Sequence, residues 1–172
     1  RKVDPQALQE VQELLGDSTR SRDLLIEALH LIQDRYHYLA AKHVVALAHE
    51  FKLAPTEVFE VATFYHHFDV IRENETPPPS LTVRVCDSMS CRMAGAENLI
   101  QELDQKFDES IRVQRVPCVG RCQHAPVAVV GQNPVDLANP VKVQQKSELN
   151  DTNPSLPDYV DYNAYRTAGG YQ

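Results

Sequence analysis

Residues 83–99 read VRVCDSMSCRMAGAENL, and residues 116–130 read VPCVGRCQHAPVAVV. All four cysteines of the chain, Cys86, Cys91, Cys118 and Cys122, fall in these two stretches, spaced C-x4-C and C-x3-C. Such pairs form a disulfide set, a zinc site, a redox thiol pair or an iron–sulfur site, and which one they form decides the fold and the function.

Each pair stands where a strand stops. "LTVRV" (81–85) alternates and runs into Cys86, and "SIRVQRV" (110–116) runs into Pro117-Cys118. Between them "MAGAENLIQELDQKF" (93–107) reads as a helix, and "VAVV" (127–130) as a third strand. A strand, a helix and a strand of these lengths predict an α/β unit with a right-handed crossover. Asn139-Pro140 has the form of an N-cap followed by proline in the first turn, which predicts a helix over 140–148. Val141 and Val143 leave a strand compatible with the same stretch.

Upstream, residues 1–70 read as helices. Asp4-Pro5 opens the first, with Leu8, Val11, Leu14 and Leu15 at helical spacing, and Gly16-Asp17 closes it. A second carries Leu24, Leu25, Ala28, Leu29, Ile32 and Tyr36. A third runs from Ala41 with Val44, Val45, Leu47, Ala48 and Phe51. Pro55 starts a fourth, with Val58, Val61, Ala62, Tyr65 and Phe68 on one face. Short turns between such helices make a small bundle. "ETPPPS" (75–80) is a stiff connector and the clearest boundary in the chain. The expected organisation is therefore a helical bundle over 1–74, an α/β domain over 75–148 and an extended tail over 149–172.

Bulk properties narrow the function. The 172 residues are 42% hydrophobic and 24% charged, enough for a packed core. A net charge of −7 argues against a nucleic-acid binder that needs a basic face. No apolar run approaches the roughly 18 residues of a membrane span, and no signal peptide is evident, so a cytoplasmic protein is expected. Arg1 in place of a start methionine implies upstream residues.

Structural disulfides suit small secreted domains, and nothing here is secretory. A thioredoxin-type redox pair needs C-x-x-C, which neither pair has. Zinc takes four thiolates and remains open. A [2Fe-2S] cluster needs four thiolates, two per iron, and N–H donors to its sulfur. Loops at strand ends supply such donors, and Gly120 between Cys118 and Cys122 permits a close or left-handed backbone. The three-plus-one cysteine order of plant-type ferredoxins and the second C-x-H element of a Rieske centre are both missing.

The paired motif, with "PCVGRCQHAP" (117–126) some 26 residues after Cys91, resembles the thioredoxin-like [2Fe-2S] E-type subunit of respiratory complex I. "LIEALHLIQDRYHYL" (25–39) and "EVFEVATFYHHF" (57–68) resemble that family's helical segments. The resemblance covers residues 20–131. It implies a thioredoxin-like ferredoxin domain behind the helical bundle, and Cys86, Cys91, Cys118 and Cys122 as cluster ligands. It also implies a flavoprotein neighbour that binds FMN and NAD(H), on the same chain or a separate subunit. The module recurs in NAD-reducing hydrogenases and NAD-dependent formate dehydrogenases. "YVDYNAYRTAGGYQ" (159–172) looks like the opening of the flavoprotein that some bacterial formate dehydrogenases fuse behind this module as one beta subunit. That points to electron transfer in a formate dehydrogenase, with further Fe-S clusters and a molybdenum or tungsten cofactor on partner modules such as the alpha subunit.

Other residues read more plainly. His66 and His67 are adjacent and, on a helix, diverge by about 100°. His30, His37, His43 and His49 sit on separate turns and read as packing or solvent-facing. His124 lies in the second cysteine loop, as a hydrogen-bond donor or a turn cap. Met89 and Met93 read as packing. No G-x-G-x-x-G or phosphate loop is present, so any nucleotide belongs to another module. Two other classes stay open, a zinc-stabilised assembly module and a free ferredoxin. The tail tyrosines, Tyr159, Tyr162, Tyr165 and Tyr171, read as interface anchors or as linker.

Overall fold

A computed structural model describes residues 2–149 and 160–170. The first helix, α1 (Pro5–Leu15), starts as the sequence predicts: Asp4 Oδ1 accepts the Ala7 N–H at 2.8 Å, and Pro5 gives up an N–H that no helix start uses. Gly16, at φ +48°, closes it. A short 3-10 turn leads into α2 (Leu25–Tyr36). Next comes α3 (Ala41–Phe51), buried from His43 through Ala48, which explains why its apolar residues are not confined to one stripe. The Glu57 carboxylate accepts the Ala54 N–H at 3.0 Å and fixes the start of α4 (Pro55–Phe64). Leu29, Ile32, Leu47 and Val58 interlock in the core these helices share.

The fourth helix is shorter than its pattern suggests. Tyr65 leaves the helix at ψ 127°, so Tyr65 and Phe68 lie beyond α4 and not on its face. Phe68 still reaches the core, delivered by the loop, while Phe64 is 75% exposed. A two-residue parallel pairing of β1 (Leu39–Ala40) with β2 (Val70–Ile71), unforeseen in the sequence, anchors the returning chain.

A four-stranded sheet of order β4-β3-β5-β6 makes the second layer. Central β3 (Leu81–Cys86) pairs parallel with β4 (Ile111–Val116), which places Cys86 opposite Val116. A five-residue helix α5 (Met89–Met93) and then α6 (Ala96–Lys106) make the crossover. Antiparallel to β3 runs β5 (Ala128–Val130), and β6 (Asn133–Val135) completes the edge. The sequence reading missed β6 because it contains Pro134, which only an edge strand tolerates. Against this sheet packs α7 (Pro140–Glu148), with Asn139 Oδ1 accepting the Lys142 N–H at 3.0 Å. Val143 is fully buried and Val141 exposed, the helical outcome of the two valines. The tail differs from the extended arm expected: Asp161 caps a short helix, α8 (Tyr162–Thr167), with none of its residues buried. Tyr159 and Tyr171 lie outside the described residues.

The two cores meet across a polar seam. Arg84 of β3 donates to the carbonyls of His66 and His67 at 3.3 and 3.2 Å and to that of Gly131 at 3.2 Å. Buried Asp69 pairs with Arg112 at 2.6 Å and with Arg84 at 3.7 Å. Gln132 Nε2 donates to Asp34 at 2.7 Å from across the seam.

Candidate metal centre

The strand ends bring the thiols to one end of the sheet. Cys86 closes β3 and Cys91 lies one turn into α5; both are buried, at 1% and 2% exposure. Cys118 follows Pro117 beyond β4, Cys122 begins a 3-10 turn ending at His124, and both are exposed. All four are free thiols. Cys118 and Cys122 stand with their sulfurs 3.3 Å apart. Gly120 between them, at φ +81°, turns the backbone so that its N–H points at the Cys118 sulfur at 3.4 Å. No neighbour lies near a Cβ built there, so the need for glycine is conformational.

Backbone donors reach the buried pair as well. Burial pushes the Cys86 thiol up, but the N–H groups of Ser88 and Val119, with the Cys91 thiol, hold it below its ordinary value. Burial raises Cys91, against the N–H of Val127. The hydrogen bond with Cys118, and the repulsion a second thiolate there would bring, push Cys122 up; Ser90 opposes this. Charge on Cys86 and Cys122 reaches across from one pair to the other. The protein alone therefore disfavours thiolates at Cys91 and Cys122.

The description "thioredoxin-like [2Fe-2S] ferredoxin" matches over residues 11–148. The chain belongs to the thioredoxin-like [2Fe-2S] ferredoxin family. NADH-quinone oxidoreductase subunit 2 of Thermus thermophilus is 29% identical over 122 residues, 66% of this chain and 65% of that one. The E subunit of the NADH-quinone oxidoreductase of Aquifex aeolicus is 26% identical over 144 residues, 78% of this chain and 87% of that one. In the solved structures, NAD+-reducing [NiFe]-hydrogenase in the air-oxidized state aligns with a TM-score of 0.58 at 25% identity. That match covers 77% of this chain and 23% of the hydrogenase chain. The relatives are subunits of NAD-linked oxidoreductases, and a [2Fe-2S] cluster is the cofactor of this ferredoxin.

The donor set fits that group better than a single ion. One tetrahedral zinc, with bonds near 2.3 Å, would draw four sulfurs to about 3.8 Å from one another. Among the described residues, the only three metal-ligating atoms within 4.8 Å of one another come from His30, Asp34 and His67, so no three of the sulfurs make one cage. Paired thiols with N–H groups aimed at them suit two irons.

Several contributors escaped the sequence reading. Ser88 and Ser90 flank Met89 in the first stretch and were visible there as hydroxyls beside thiols. The N–H groups of Val119 and Val127 have no side-chain signal. Arg121 pairs two-pronged with Asp136 at 2.7 and 2.5 Å, tying the second cysteine loop to the segment before α7. His124 stands 3.9 Å from the same carboxylate, and its carbonyl accepts the Leu137 N–H at 2.8 Å, so it serves that tie. Met89 and Met93 are exposed, at 77% and 85%, contrary to the packing role expected of them. His43 is buried, stacked on Tyr36 and bonded to Glu10 at 2.7 Å. No helix among the described residues is long and apolar enough to cross a membrane.

Proposed function

We propose that Cys86, Cys91, Cys118 and Cys122 hold the [2Fe-2S] cluster and that the chain is the electron-transfer module of a cytoplasmic NAD-linked oxidoreductase. The observation that carries this reading is the convergence of two thiol pairs at one end of the sheet, each sulfur-bearing loop presenting backbone N–H groups. When bound, the cluster supplies one-electron chemistry, which a flavin converts to and from hydride transfer. The protein's own part is to hold sulfur. Ser88, Val119, Val127 and Gly120 direct N–H groups at thiolates, which stabilises negative charge there. The Cys118–Cys122 side is exposed, with Phe64, Tyr65 and Val119 lining the adjoining cleft, so a partner can come close on that side.

That partner is a flavoprotein module carrying FMN and binding NAD(H), with residues 1–74 docking it as a helical unit. The resemblance of residues 159–172 to a fused flavoprotein favours a formate dehydrogenase beta subunit, with its alpha subunit as the further partner. The names of the relatives favour a second reading, an E-type subunit of complex I or of an NAD-reducing hydrogenase.

An iron and sulfide assay with a visible spectrum tests the ligands: about two of each per chain are expected, and Ser at any of the four cysteines should abolish both. A colourless zinc protein refutes the reading. Affinity purification from the native cell, followed by NAD reduction with formate or with hydrogen, decides between a formate dehydrogenase and an NAD-reducing hydrogenase; activity with neither favours the complex I subunit.

A further inference from the structure

Away from the thiols, three side chains converge at the seam between the cores. His30 and Asp34 are four residues apart on α2 and so share a face. His67 comes to meet them from the loop after α4. One ligand atom from each lies within 4.8 Å of the other two. The rings of His30 and His67 are 4.6 Å apart and tilted by 44°, too oblique to stack. His67 Nε2 is buried and has no hydrogen-bond partner, a state that native structures rarely leave unexplained.

From this geometry we infer that His30, Asp34 and His67 form a divalent metal site of the zinc class, which clamps α2 to the chain entering the sheet. Two imidazoles and one carboxylate are a borderline N/O donor set that suits zinc, with a water at the open position. Calcium and magnesium prefer oxygen alone. The support a metal ligand needs is present: Gln132 Nε2 donates to Asp34 Oδ1 at 2.7 Å and orients the carboxylate. Arg84 lines the same cleft as Asp34 and His67, and Asp69, paired with it at 3.7 Å, offsets its charge. Asp34 and His67 line one cleft, and His30 and His67 line another. The clamp joins α2 to the seam, a role separate from the thiols.

The test uses the cluster-loaded protein, dialysed against Zn2+ and then against metal-free buffer. About one zinc per chain should stay, in addition to the cluster iron. Zinc-edge X-ray absorption should show nitrogen and oxygen neighbours near 2.0–2.1 Å and no sulfur near 2.3 Å. His30→Gln and His67→Gln should each weaken retention by more than about 100-fold, and Gln132→Ala by about 10-fold. Retained zinc with sulfur neighbours, or zinc unchanged by either histidine substitution, overturns the proposal, as does failure of the unaltered protein to retain zinc. If a variant misfolds, the absorption spectrum of the unaltered protein still decides.

Discussion

Cys86 and Cys91 are rooted in the sheet core, on β3 and α5, whereas Cys118 and Cys122 stand exposed on a loop. The first pair is positioned by packing: Val83, Val85 and Leu99 belong to the same cluster of buried side chains. Local devices position the second pair, namely Gly120 with its left-handed backbone and the Arg121–Asp136 brace. Half of the site is therefore held by the buried core, and half by local parts that a mutation can remove without unfolding the sheet.

The largest expected effect separates the halves directly. Cys86→Ser and Cys118→Ser should both lose cluster absorbance, but only Cys86→Ser should destabilise the cluster-free chain, by about 1–3 kcal/mol for a buried hydroxyl. Urea melts of the two cluster-free variants read the difference, and equal stabilities would break the comparison. Gly120→Ala comes next. It forces a side chain into φ +81°, at a cost of about 1–2 kcal/mol. That strain should appear as a poorly loaded cluster, with far-ultraviolet circular dichroism unchanged. Arg121→Ala should leave folding intact and speed loss of the cluster by about 10-fold, followed as bleaching under a chelator.

The smallest effect is a control far from the thiols. The hydrogen bond from His43 holds the Glu10 carboxyl below its ordinary 4.5. Because the folded-state value is depressed, the stabilisation is present above 4.5 and disappears as pH falls through the lower, folded value. Glu10→Gln should therefore cost no more than about 1 kcal/mol at neutral pH and nothing in acid, by melts across that window.

Much of this was legible in the residues. Both Asp4-Pro5 and Asn139-Pro140 cap helices as their chemistry demands, and the alternation of "LTVRV" leads to Cys86 at a strand end. Local signals failed where the structure answers to distant partners. The helical pattern past Phe64 breaks because β2 must reach β1, some thirty residues back in sequence. Arg84 occupies a position that a half-exposed strand gives to solvent, yet its acceptors are residues 66, 67 and 131. His30 and Asp34 share a visible helical spacing, but nothing in the sequence brings His67 to them. Val119 and Val127 act through backbone N–H groups, which every residue but proline has.

Arg84 has one further consequence. Its side chain is 11% exposed, and its acceptors come from both sides of the seam. Parting the two cores would break its bonds to the His66 and His67 carbonyls and its pairing with Asp69, each hydrogen bond to a charged group being worth about 1.5–3 kcal/mol. The three prolines at 77–79 then act as a strap outside a closed joint, not as a swivel. Heat should melt both cores in one cooperative step, with calorimetric and van't Hoff enthalpies in agreement. Arg84→Met should split that transition in two, turning one cooperative body into a pair of loosely tethered ones.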